Sequence, residues 1–91
     1  SMQKLIVGNW KMNGTAAQAA TLAQAISLAA AQFNKCQLVI CPPFVHLSAV
    51  NGLKNIKIGA QDCSPYPNGA HTGDISASML VESGCSYVIL G

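Results

Sequence analysis

The stretch that most constrains this chain is residues 5–14, where a short apolar run passes directly into a polar segment flanked by glycines. The longest helical pattern of the sequence follows that segment. A strand, a short loop and a helix in this order start a βα unit, and such units bind ligands at the carboxyl ends of their strands. Asn9 and Lys11 are therefore candidates for a ligand site.

Asn9 and Lys11 would present an amide and an ammonium group to one pocket. In extended backbone, residues two apart project to the same side, so we expect Trp10 to pack the other way. An amide beside a positive charge suits an anionic, oxygen-rich ligand. The alternative is a plain turn at Asn13 and Gly14 with a solvated lysine, which is a common arrangement at a polar strand end.

The sequence VGNWKMNG at residues 7–14 resembles the first strand and loop of the triosephosphate isomerase family. The segments CPPF at residues 41–44 and GAHTGDIS at residues 69–76 resemble that family's second and third loops. The resemblance implies a TIM (β/α)8 barrel that interconverts dihydroxyacetone phosphate and glyceraldehyde 3-phosphate in glycolysis and gluconeogenesis, with no metal and no cofactor. It also implies that Asn9 and Lys11 are catalytic and substrate-binding residues in contact with the triose phosphate.

Residues 63–73 form the longest segment without a predicted helix or strand, and such connections are usually functional or disordered. Two prolines and two glycines restrict its shape, so we expect an excursion that docks on a neighbour, with a mobile loop as the alternative. The resemblance implies that this third loop enters a partner subunit and covers Met12 of its first loop. It assigns four residues to a dimer interface: Met12, Gln61, His71 and Thr72. Gln61 and Thr72 have supporting roles there. The position of His71 is often aromatic in the family.

The chain has 91 residues, of which 51% are hydrophobic and 9% charged. Because a complete (β/α)8 barrel needs about 250 residues, we expect residues 1–91 to form the amino-terminal part of one barrel domain. The expected fold class is α/β, an incomplete parallel βαβαβαβ segment. Its uncovered apolar face predicts pairing as a homo-oligomer or with the complementing remainder of the barrel. Ser1 before Met2 is interpreted as a residue left by tag removal.

The composition argues against nucleic-acid and membrane partners. The net charge of +2 comes from five scattered lysines and no arginine, so no basic stripe for nucleic acid can be drawn. No run reaches the ~18 apolar residues of a membrane helix and no secretory signal is visible, so we expect a cytoplasmic protein. The four cysteines form no Cys-x-x-Cys pair, which argues against a zinc site and for free, buried or half-buried thiols.

The hydrophobic pattern divides the chain into alternating strands and helices. It predicts strands at residues 4–8, 37–41, 56–60 and 87–91, and helices at residues 16–32, 44–50 and 77–83. Thr15 and Gln18 fit a capping box at the start of the first helix. Ser76 can cap the third helix, and Gly84 can end it in the left-handed conformation.

Several side chains carry expectations of their own. The larger apolar residues of the first helix, Leu22, Ile26 and Phe33, recur at helical spacing, and we expect them to form one face that packs on the sheet. The same face includes three smaller residues: Ala19, Ala29 and Ala30. His46 is expected to be a surface or packing residue, since nothing nearby in sequence pairs with it. Lys57 interrupts an apolar strand and is expected to mark its exposed end.

The last predicted strand ends the sequence at Gly91. In the resembled family, that strand runs into His-Ser-Glu-Arg, which brings the electrophilic histidine, and the glutamate base lies far beyond. The resemblance therefore implies that the 91-residue chain is inactive alone, although it carries the Asn and Lys part of the site. The alternative function is a non-catalytic, self-assembling half-barrel fragment or folding module with a weak anion site.

Overall fold

The computed structural model describes residues 3–33 and 35–90, so the interpretation of Ser1 lies outside the described residues. Four parallel strands are joined by helical crossovers, and their order in the sheet is β1-β2-β3-β4. The elements are β1 (Lys4–Asn9), α1 (Ala16–Ala30), β2 (Cys36–Cys41), a 3₁₀ turn (Phe44–His46), α2 (Leu47–Val50), β3 (Ile56–Ala60), α3 (Ala77–Glu82) and β4 (Cys85–Val88). The predicted parallel α/β segment is confirmed, and the described sheet does not close into a barrel.

Helix α1 begins with the predicted capping box. Thr15 Oγ1 accepts a hydrogen bond from Gln18 N (3.1 Å), and Gln18 Oε1 accepts one from Thr15 N (2.9 Å). The helix ends at Ala30 rather than near residue 32.

Among the described residues, no helix is long and apolar enough to cross a membrane.

The predicted packing face of α1 is wrong in part. Leu22 is 50% exposed and Phe33 is 59% exposed, and only Ile26 packs against the core. Ala19 and Ala30 of the predicted face are buried, and they belong to a stripe of small residues: Ala19, Ala23, Ser27 and Ala30. Small side chains allow a close approach of the helix to its neighbours, and Ser27 Oγ donates a hydrogen bond to Lys54 O in the turn before β3. The prediction was therefore wrong for Leu22 and Phe33 and right for Ala19, Ile26 and Ala30.

Strand β4 begins at Cys85, two residues before the predicted start, and ends at Val88. Ile89 N still donates to Ala60 O (2.9 Å), which continues the pairing by one bond. The pairing with β3 is irregular, because Ile58 pairs with Cys85 but Gly59 pairs with Tyr87. The polar Ser86 at this irregularity hid the start of the strand, and the predicted end at residue 91 lies outside the described residues.

The two faces of the sheet differ. Ile56 and Ile58 belong to the core that the helices cover, so the alternating residues of β3 point to the opposite side, which we call the inner face. On the inner face, Tyr87 Oη donates a hydrogen bond to Gln37 Oε1 (2.9 Å), which links β4 to β2 across β3. A residue without a side chain, Gly59, stands at the crossing point opposite Tyr87.

Strand β1 is an edge strand with accessible side chains on both faces. Leu5, Ile6 and Val7 are 46–50% exposed, although successive strand residues point to opposite sides. Exposure of three consecutive large apolar residues means that β1 lacks a cover on both faces within the described chain. The barrel-lining face was expected to be bare, but Val39 and Cys41 on that face are 1% and 0% exposed, and the exposed apolar side chains of the sheet lie mainly at this edge.

The four cysteines are free, with Cys41 and Cys85 buried and Cys36 and Cys63 half-buried, as predicted. Burial raises the pKa of the Cys41 and Cys85 thiols, and a smaller contribution to the Cys41 pKa comes from Cys85. A raised pKa favours the neutral thiol in the folded chain. The resulting contribution to stability is present below the ordinary thiol pKa and is lost as pH rises through the raised value.

We expect Cys36 and Cys63 to react with an aromatic disulfide reagent at pH 8 before Cys41 and Cys85 do. The thiolate is the nucleophile, and burial both blocks access to the last two and keeps them protonated. Timed modification followed by peptide mass spectrometry measures the order. Modification of Cys41 at the rate of Cys63 would contradict this account.

Candidate active site

The carboxyl end of β1 brings Asn9 and Lys11 together, but not in the expected extended geometry. Asn9 is the last residue of the strand, and Lys11 has a φ of +55° in the left-handed region. Asn9 Oδ1 accepts a hydrogen bond from Lys11 N (2.9 Å). The reason is that a short amide side chain readily bonds the backbone two residues on, which turns the chain where strand pairing ends. Trp10, as expected, packs against the core.

Gln61 fixes the backbone of Lys11 from another strand. It follows β3, and its Nε2 donates hydrogen bonds to Lys11 O (2.8 Å) and to Cys41 O at the end of β2 (2.9 Å). Cys41 O also accepts from Trp10 N (3.1 Å). The carboxyl ends of three neighbouring strands therefore meet at one side chain. A left-handed lysine costs about 1–2 kcal/mol, and these bonds help to hold it in place.

His46 holds the other end of the same loop, which gives the expected packing residue a specific partner distant in sequence. Its Nε2 lies 2.9 Å from Gly14 O. Because a carbonyl oxygen can only accept, Nε2 carries the proton. The Nδ1 atom is buried and has no partner among the described residues. Sequence reasoning missed this contact because the two residues are 32 positions apart.

We expect Gln61→Leu to loosen the first loop. Losing both hydrogen bonds should lower the free energy of unfolding of the chain by about 1–2 kcal/mol. The backbone of Lys11 should also lose its constraint, so hydrogen exchange of the Lys11 and Met12 amides should become faster. Urea unfolding and amide exchange measured by NMR check the two effects. Gln24→Leu, at an exposed position on α1, is the matched control; equal effects in both variants would contradict the assignment.

The third loop, residues 63–73, projects from the same end of the sheet. Ser64 N donates to Ile75 O (2.8 Å) and closes its base. The rings of Tyr66 and His71 stack with centroids 4.3 Å apart and planes 5° apart. Both residues are exposed, so within this chain the loop buries its aromatic side chains only against each other.

The four residues predicted at a dimer interface occupy different environments. Met12 is 93% exposed at the tip of the first loop. His71 and Thr72 are exposed on the third loop, whereas Gln61 is half-buried and contacts the first loop of its own chain. Their role in an interface stays a prediction.

A cleft of about 360 Å³ lies beside Gln61 and the base of the third loop. Two carboxylate residues, Asp62 and Asp74, line it together with Phe44. Two nearby negative charges disfavour an anionic ligand, so the lysine end of β1 is the better candidate for one. No group of three or more His, Cys, Asp and Glu side chains suited to a metal ion occurs in residues 3–33 and 35–90.

Comparison with known proteins gives a consistent result over the whole chain. A family model described as triosephosphate isomerase matches residues 4–91. The triosephosphate isomerase of Rhodopseudomonas palustris is 45% identical over 96 aligned residues, which cover 100% of this chain and 38% of that relative. Those of Gluconacetobacter diazotrophicus and Granulibacter bethesdensis are each 47% identical over 94 residues, which cover 99% of this chain and 38% of each relative. This chain spans 38% of the length of these relatives and belongs to the triosephosphate isomerase family.

Proposed function

We propose that this chain supplies the electrostatic part of a triosephosphate isomerase active site. In the proposal, Asn9 and Lys11 bind a triose phosphate at the carboxyl end of β1. The observation that supports it is that Asn9 Oδ1 accepts from Lys11 N and Gln61 Nε2 donates to Lys11 O, which holds the backbone of Lys11 beside Asn9 in a chain of this family. We use the term complete barrel for the barrel that this chain would form with a polypeptide supplying the remaining strands.

The proposed reaction interconverts dihydroxyacetone phosphate and glyceraldehyde 3-phosphate by moving a proton between two carbon atoms. Negative charge develops on the substrate oxygens in the enediolate, beside the charge of the phosphate group. A fixed ammonium group stabilises such charge more in the transition state than in the substrate, which accelerates the reaction. Because Asn9 Oδ1 is engaged by Lys11 N, Asn9 can offer its Nδ2 hydrogens to a ligand oxygen.

The proposal assigns the proton transfers to residues outside this chain. This family is itself the standard illustration of a glutamate base working with a neutral histidine, and the family resemblance places neither within residues 1–91. We expect no isomerase turnover above the contaminant level from the pure 91-residue chain. A coupled assay with dihydroxyacetone phosphate measures it, and a rate that stays with the chain through successive purification steps would overturn this part of the proposal.

The proposal also includes a partner subunit and a cytoplasmic, glycolytic setting. The third loop would enter the partner and cover its Met12, with Thr72 and His71 at the contact and Gln61 behind it. The nearly complete exposure of Met12 and the closed base of the third loop support this arrangement. A large apolar side chain with so little cover is favourable to bury.

A further inference from the structure

Lys57 is a cation inside an otherwise apolar strand. Its neighbours Ile56 and Ile58 are buried under the helices, so alternation places Lys57 on the inner face of the sheet, and it is exposed there. It is the second residue of β3, near the amino end of the strand as predicted, and its register partner is Val39 of β2. An exposed lysine on this face is at odds with the apolar lining expected inside a barrel.

No carboxylate of the described chain is placed to neutralise Lys57 from its own strand or from the strands beside it. Two of the three acidic residues, Asp62 and Asp74, lie at the carboxyl end of the sheet, where they line the cleft beside the third loop. Asp62 is five residues further along the chain than Lys57, roughly 16 Å at ~3.3 Å per residue. The third, Glu82, ends α3, outside the sheet.

Gln37, an inner-face neighbour of Lys57, can donate hydrogen bonds to the same acceptor. It precedes Val39 by two residues and lines the same cleft as Lys57 at the amino end of the sheet. Its Oε1 accepts a hydrogen bond from Tyr87 Oη at 2.9 Å, which orients the amide, and its Nε2 can donate two hydrogen bonds. The ammonium of Lys57 has only hydrogens to offer. These two groups together fit an anionic acceptor.

The complete barrel would enclose this acceptor-poor site. The interior of a (β/α)8 barrel is a packed core of side chains contributed by all eight strands, and a charge in such a core requires a partner. A second copy of this chain is a poor cover. If two sets of four strands closed one eight-stranded barrel, its two-fold axis would set β3 opposite β3 and Lys57 opposite Lys57, which is repulsive.

We propose that the polypeptide completing the barrel brings an Asp or Glu carboxylate to Lys57 and Gln37 on the inner face. The carboxylate would accept hydrogen bonds from Lys57 Nζ and Gln37 Nε2, with Tyr87 fixing the amide orientation. The ion pair between Lys57 and this carboxylate would therefore select which polypeptide can close the barrel on this sheet. This proposal rests on the barrel fold of the family and not on the isomerase activity.

The test is the thermal unfolding midpoint of the complete barrel with Lys57→Met. Removing the lysine leaves a carboxylate without its partner, so the midpoint at pH 7.5 should fall by about 6 °C or more. The proposal also predicts that the loss of stability in Lys57→Met is larger at pH 7.5 than at pH 5.0. Lys57 lowers the pKa of its carboxylate partner, so the stabilisation is present above the ordinary carboxyl pKa and is lost as pH falls. In the variant, the isolated carboxylate protonates more easily, so the deficit at pH 5.0 should be less than half of that at pH 7.5.

Lys4→Met is the matched control, since Lys4 is exposed at the start of β1, is not among the residues that line this cleft, and loses the same charge; its midpoint should stay within about 1 °C. Lys57→Met in the 91-residue chain alone should also show no such pH-dependent loss, because its inner face is open. A complete barrel that forms with Lys57→Met at pH 5.0 but not at pH 7.5 supports the proposal. An unchanged midpoint, an equal deficit at both pH values, or failure to assemble at both would overturn it.

Discussion

Replacing Lys11 with methionine in the complete barrel is expected to lower kcat/KM for triose phosphate isomerisation by about 10²–10³-fold, the loss typical of one electrostatic group aimed at developing charge. Methionine retains the length of the side chain but removes the ammonium group. Lys11 is the only lysine at the carboxyl end of the described sheet. Two of the others lie in the turns before β2 and β3, and the remaining two are the first residue of β1 and the second residue of β3.

The steady-state rate in both directions, measured with a coupled assay, tests this expectation. Lys4→Met is the matched control, because Lys4 lies at the opposite end of the same strand and loses the same charge. We expect its kcat/KM to stay within about twofold of the unsubstituted barrel, since a distant exposed charge is largely screened. Equal losses in the two variants would assign the effect to net charge and contradict a local role for Lys11.

Gly59→Ala is expected to destabilise the chain by about 1–3 kcal/mol, the usual cost of overpacking a buried site. A Cβ atom at this position would lie 2.6 Å from Cys41 Sγ and 3.2 Å from Val39 Cγ1. Both neighbours are buried, so neither can move away into solvent. Tyr87 Cβ stands 3.4 Å away on the other side, which leaves the new methyl group little room.

The clash with Cys41 can be tested by a double-mutant cycle in urea. Cys41→Ala removes the nearest atom, so Gly59→Ala should cost markedly less in that background than alone, with a coupling of about 1 kcal/mol or more. Additive losses in the double variant would contradict the geometry. Gly52→Ala is not a suitable control, because Gly52 has a φ of +83° and the new side chain would be strained for another reason.

The elements that could be predicted from the sequence are those set by local chemistry. The capping box at Thr15 and the cap at Ser76 depend on contacts within three residues, and both occur as predicted. Gly84 has a φ of +96°, as expected for a glycine that ends a helix. Strand β3 has the predicted limits because a largely apolar run, interrupted only by Lys57, is bounded by Asn55 and Gln61.

The packing face of α1 could not be predicted in the same way. Periodicity identifies which residues share a stripe, but not how closely that stripe approaches its neighbours. The helix lies on Ala19, Ala23 and Ser27, and the larger Leu22 is left half exposed. A search for small residues at four-residue spacing would have found the correct face.

The residues proposed for the site could be named from the sequence, but the geometry of their loop could not. Asn9 ends the first strand and Lys11 follows it, so their position at the carboxyl edge of the sheet follows from the order of elements alone. The left-handed backbone of Lys11 depends on Gln61, which is 50 positions away, and the far end of the loop depends on His46. Contacts of such separation leave no mark in a local pattern.

The most direct test of the account is complementation of this chain by the missing strands. The pure 91-residue chain should be mixed with the carboxyl-terminal part of the Rhodopseudomonas palustris relative, beginning after the stretch that matches this chain. We predict isomerase activity from the mixture, none from either piece alone, and its loss when the chain carries Lys11→Met. Activity that is absent from the mixture although the two pieces form a folded complex, or that is indifferent to Lys11→Met, would contradict the account.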